Sequence, residues 1–173
     1  MNLSKFKESR VKSKFEKKLS KLLDNRVVSQ KEIKTVGILT TDKILKEINL
    51  QSEIEAVFQL KNAKIYSFRK FNKTDSASYQ HFTEKDVNWK GEFIEPTFQS
   101  FLEQPFDLII GYFDTNHLYL EKAIFQSKAT FKAGFSDVNS KLFEIEISEK
   151  VENVKPFLLE LKKYLQILKK IKL

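Results

Sequence analysis

The stretch that most constrains this chain is Phe106 to Phe135, FDLIIGYFDTNHLYLEKAIFQSKATFKAGF. Asp107 to Gly111 is a short apolar run with the length and character of a strand buried on both faces. Tyr112 to His117 is polar and turn-like, and Asp114, Thr115 or Asn116 can supply a cap for a following helix. Leu118, Leu120, Ala123 and Ile124 give that helix an apolar stripe; Ser127-Lys128 ends it, and Ala129 to Ala133 resumes as a strand. Two strands joined through a helix pair in parallel, and such a crossover is right-handed.

The same pattern recurs upstream. Lys34 to Thr40, KTVGILT, reads as a strand, followed by Thr40-Thr41-Asp42 as an N-cap cluster. Lys43 to Gln59 has helical spacing with a break near Asn49-Leu50, and Ala63 to Arg69 returns as a strand. Asn72 to His81 is polar and aperiodic, which predicts a surface loop, and the lone Trp89 is expected in the core. Pro96 suits the first turn of a short helix through Gln104. Leu142 to Ile147, LFEIEI, alternates as an edge strand does, with Glu144 and Glu146 on a solvated face.

Both ends are helical in pattern. From Leu3 to Leu23, Phe15, Leu19, Leu22 and Leu23 form a stripe that Phe6 and Val11 extend less regularly, and Asp24-Asn25 reads as the stop. From Glu152 or Asn153 onward, Phe157, Leu158, Leu161, Tyr164, Leu165, Leu168 and Ile171 repeat at helical spacing. The expected architecture is one α/β domain over residues 1–173 in three layers. A mostly parallel sheet of about five strands carries helices on both faces, a Rossmann-like arrangement. The core spans residues 34–150, flanked by basic helices within residues 1–26 and 152–173.

Composition narrows the chemistry. There is no cysteine, and His81 and His117 are the only histidines, so thiolate catalysis and cysteine- or histidine-rich metal sites are excluded. No stretch looks like a signal peptide or a membrane span, which points to the cytoplasm. The net charge of +8 sits at the ends: residues 1–26 hold 9 Lys/Arg against 3 Asp/Glu, and residues 151–173 hold 6 against 2. The first reading is therefore a non-enzymatic binding protein for structured RNA or the ribosome. Lys12, Lys14, Lys17 and Lys18 from one end, and Lys163, Lys169 and Lys170 from the other, would contact phosphates. That reading requires the two ends to converge on one electropositive surface.

A second reading places a small phosphorylated ligand at the carboxyl ends of the strands, in the loops Thr40-Thr41-Asp42 and Tyr112–His117, with Asp114, Asn116 and His117 as candidates. Asp114 and His117, three apart, could pair as a general base, although capping is the commoner use of such an aspartate. Neither loop has the glycines of a dinucleotide or phosphate-cradling motif. A third reading is a protein-interaction module using a terminal helix. No cofactor or metal is expected.

The basic N-terminal helix, QPFDLIIGYFD (Gln104 to Asp114), SKATFKAGF (Ser127 to Phe135) and KKYLQILKKI (Lys162 to Ile171) together resemble a family of flavobacterial (Bacteroidota) proteins of unknown function. That resemblance spans most of the chain and implies no activity, cofactor or site residue. More loosely, the DLIIG-loop-helix-strand unit is similar to the nucleotide-sugar half of two-domain glycosyltransferases, without their second domain or glycine-rich diphosphate loop.

Overall fold

The computed structural model describes residues 2–22, 28–76 and 80–172; Leu23 and the Asp24-Asn25 stop lie outside them. Six strands form one sheet: β1 (Val36–Thr41), β2 (Lys64–Phe68), β3 (His81–Phe82), β4 (Leu108–Tyr112), β5 (Lys132–Phe135) and β6 (Ile145–Ile147). Their order is β3-β2-β1-β4-β5-β6, and every pairing is parallel. The helices are α1 (Leu3–Ser20), α2 (Asp42–Glu47), α3 (Leu50–Phe58), α4 (Pro96–Glu103), α5 (Leu118–Gln126) and α6 (Val154–Ile167). The sheet thus has six strands rather than five. The added one is β3, at the end of the segment expected to be a loop.

Strand alternation divides the core in two. Leu39 and Ile109 face one side, where they meet Val11, Phe15 and Leu19 of α1, Phe98 and Phe101 of α4, and Leu120 and Ile124 of α5. Ile38 and Ile110 face the other, against Leu50 and Ile54 of α3 and Phe157, Leu161 and Leu165 of α6. The two lysine-rich helices therefore lie on opposite faces of the sheet. The single electropositive surface required by the RNA reading does not form.

Helix starts follow local chemistry. Thr41, not Asp42, caps α2: the Ile44 N–H donates to Thr41 Oγ1 (3.2 Å). Asn49 caps α3 and breaks the long helical pattern where expected. Pro96 occupies the first turn of α4, with both Glu95 carboxylate oxygens accepting backbone N–H groups. At α5 the cap is His117, outside the candidates Asp114, Thr115 and Asn116. That helix buries Tyr119 to Ile124 without a gap, because α1 covers the side that faces away from the sheet. Trp89, expected inside, is 44% exposed and packs near Phe6 of α1, with ring centroids 6.2 Å apart.

Candidate functional site

Strand order reverses between β1 and β4, since β1 leads outward to β2 while β4 leads the opposite way to β5. In doubly wound sheets, ligands gather beyond the carboxyl ends of the strands at such a reversal. A cavity of about 440 Å³ lies beside it, between the end of β2 and the residues that follow β4. It is lined by Phe68 at the end of β2, by Asn116, His117 and Tyr119 at the start of α5, and by Lys5 and Glu8 of α1. Phe68 stacks on Tyr119 (centroids 5.5 Å apart, planes 7° apart) and meets the His117 ring edge-on at 4.4 Å.

The two expected ligand loops flank this reversal, with Thr40 in register with Tyr112, but they contribute unequally. Asn116 and His117 line the cavity, whereas Thr40, Thr41, Asp42 and Asp114 do not. Thr40 is fully buried, and its Oγ1 donates to the Tyr112 carbonyl at 2.7 Å. Asp42 pairs with Lys46 at 2.9 Å. No hydrogen bond or ion pair among the described residues joins Asp114 to His117, so the general-base pair does not form. Burial pulls the His117 pKa down, and its Nδ1 accepts from the Leu120 N–H at 3.3 Å.

At both helix starts a side chain already occupies a donor that an anion would use. The His117 N–H donates to Glu121 Oε2 at 2.7 Å, and the Glu121 N–H donates to the His117 carbonyl at 2.9 Å. With the Leu120 and Ile44 donors also occupied, a diphosphate would have to displace side chains already in place. An anionic ligand here is better served by the cations at the cavity edge, Lys5 and Lys70.

Ser67, His81 and Asp42 form a constellation that the sequence did not signal. Ser67 Oγ bonds His81 Nδ1, and His81 Nε2 lies 3.8 Å from Asp42 Oδ1. Burial, and then the nearby Arg69, lower the His81 pKa, which favours a neutral ring that accepts from Ser67 and turns its Nε2–H toward the carboxylate. The residue types match a hydrolytic triad, but Ser67 is fully buried and no substrate reaches its hydroxyl. The group fastens the two-residue β3 to β2 and to the start of α2.

The lysines expected to bind phosphate are scattered. Lys12, Lys17 and Lys18 are exposed on α1, and Lys14 is half-buried. Lys163 pairs with Glu160 at 3.2 Å. Lys169 adopts a left-handed backbone (φ 56°) just past the end of α6. Lys170 is 1% exposed; its Nζ donates to the Ser29 carbonyl at 2.5 Å and sits over the Phe131 ring. Lys170 is therefore a structural tether, unavailable to a phosphate. Among the described residues, no cluster of three acidic or histidine side chains could hold a metal ion, and no helix is long and apolar enough to cross a membrane.

A fully parallel sheet in this order, with helices on both faces and a cavity beside the reversal, defines a doubly wound α/β protein. The chain belongs to the family of unknown function DUF6913, which matches residues 7–168. No curated protein and no solved structure matches it.

Proposed function

We propose that this protein is a small-molecule-binding domain whose site is the cavity beneath the N-terminal half of α1. The observation that carries the reading is a cavity of about 440 Å³ beyond the carboxyl end of β2 and beside the β1/β4 reversal. Its location rests on a rule shared by doubly wound folds, and its ligand class rests on its own side chains. Phe68 and Tyr119 offer an aromatic wall for a planar ring, Lys5 and Lys70 offer charge for a phosphate or carboxylate, and Asn116 offers a polar contact. The volume suits a ligand of mononucleotide size.

Thermal unfolding with a panel of mononucleotides and sugar phosphates tests this. A ligand at a hundred times its Kd is expected to add about 2.7 kcal/mol of stability. Lys5→Ala and Lys70→Ala should lose that gain while leaving the ligand-free Tm unchanged, because both side chains stand at the cavity edge. If no member of the panel at millimolar concentration raises Tm or moves the amide resonances of Asn116 and His117, the cavity is not a binding site for this class.

A further inference from the structure

Lys122 stands apart from the cavity. It lies on α5, is 3% exposed, and has no hydrogen bond or ion pair within 4.0 Å among the described residues. Its Nζ is not among the sealed polar atoms of the described residues that lack a hydrogen bond, so it keeps some access to solvent. The side chain runs beneath Gly91, where a Cβ would stand 3.5 Å from both Cε and Nζ and 3.7 Å from Val11 of α1. Gly91 has φ +84°, a backbone conformation that favours glycine.

Lys14 and Lys18 follow Val11 at three and seven residues, on the same side of α1. The charged groups that face Lys122 are therefore Lys18 and Lys14 from α1 and Glu92 from the turn. Burial first, and then Lys18 and Lys14 against the opposing Glu92, bring its pKa down to about 8. Glu92 is exposed and already accepts from Asn88 Nδ2 at 2.8 Å. A lysine that is ordinarily exposed is held here beside two like charges, and the opposing Glu92 forms no ion pair with it within 4.0 Å.

We propose that Lys14, Lys18 and Lys122 form a binding site for a phosphate-class anion in the seam between α1, α5 and the turn at Gly91. The anion adds to Glu92 the negative charge that three lysines from two helices attract. The backbone N–H groups of the turn take no part, since those of Lys90, Gly91 and Glu92 all donate to Asn88. The site is independent of the cavity at the strand ends and can fail without it.

The test compares inorganic phosphate with chloride at constant ionic strength. Wild-type protein should gain about 4 °C in Tm at ten times Kd. Lys122→Met, which keeps the aliphatic stem in place, should not respond. The Lys14→Gln/Lys18→Gln double variant, altered away from the core, gives the same answer should Lys122→Met fold poorly. In the wild type, phosphate should also raise the Lys122 Nζ pKa above about 8 in an NMR titration, because an anion favours the charged form. A second arm uses a short RNA oligonucleotide without terminal phosphates. A Lys122-dependent response to phosphate alone identifies a free phosphate group, and one to the oligonucleotide identifies a phosphodiester; either supports the site. No response in either arm, or an equal response in the variants, overturns it.

Discussion

Asp107→Ala is expected to cost about 3–5 kcal/mol, one of the two largest effects in the molecule. The side chain is 4% exposed and immediately precedes β4. Its Oδ2 accepts from the Lys34 N–H (3.0 Å), the Thr35 N–H (2.9 Å) and the Thr35 hydroxyl (3.0 Å), while Lys31 Nζ reaches Oδ1 at 2.6 Å. One carboxylate thus ties the residues leading into β1 to those leading into β4. Alanine leaves three donors without an acceptor in a partly buried setting, which is where most of the loss arises. The Lys31 pair adds little, since that lysine is 60% exposed. Asp107→Asn keeps an oxygen for the backbone donors and should cost about half as much. The urea midpoint is the measurement, and a loss under about 1 kcal/mol for alanine would remove the clamp from this account.

The same residue sets an acid limit. Burial alone raises the Asp107 pKa, but Lys31, Lys34 and Thr35 together outweigh it, so the folded value lies below the ordinary one. A depressed carboxylate pKa means the stabilisation is complete above the unfolded value, near 3.9, and is lost as pH falls through the folded value. His81 and His117 also have lowered pKa values, so their contribution begins to fall away earlier, as pH drops below about 6.5. Stability should therefore decline in two stages on acidification, and Asp107→Asn should shrink the lower one, to which Glu92 and Glu149 also contribute, and leave the upper one unchanged.

Gly134→Ala is the second large effect, expected at about 2–3 kcal/mol. An added Cβ would stand 2.6 Å from Phe143 Cε1 and closer still to Cε2 and Cζ. The ring also crosses the neighbouring strand, where a Cβ at Gly111 would meet Phe143 Cζ at 3.0 Å. Gly111 and Gly134 are paired across β4 and β5, so together they form a flat seat for one aromatic ring. Phe143 cannot retreat easily: it is 5% exposed, and the adjoining Glu144 N–H donates to the Lys132 carbonyl at 2.8 Å. Shortening the ring to leucine should relieve the overlap, so Gly134→Ala/Phe143→Leu should lose less than the two single changes combined, by about 1 kcal/mol or more. Strict additivity would show that the ring and the glycine do not meet.

Much of this fold was legible because the buried strands carry their own signal. The runs in β1 and β4 are apolar on both faces, and Pro96, Asn49 and Thr41 mark helix starts through local chemistry alone. β3 was not legible, since two residues cannot show a period and its stability comes from Ser67 and Asp42, which are distant in sequence. Glu121 and Lys122 look like the wet side of a helix, and only tertiary packing, α1 against α5 included, buries them. Glu144 looked like part of a solvated face, yet its Oε2 accepts the Lys132 N–H at 2.6 Å. Which side of the sheet each terminal helix takes depends on strand order, and no local pattern encodes that. Within the candidate site, Asn116 and His117 were expected from their loop, whereas nothing in the sequence singled out Phe68 or Tyr119, which only the placement of the strands brings together.

The sheet is bounded on one flank by the two residues of β3 and on the other by the three residues of β6. Such short borders leave few free backbone groups in line, too few to template a strand from a second molecule. A parallel sheet with two long open margins would invite stacking into fibrils; this one should resist that route even when concentrated.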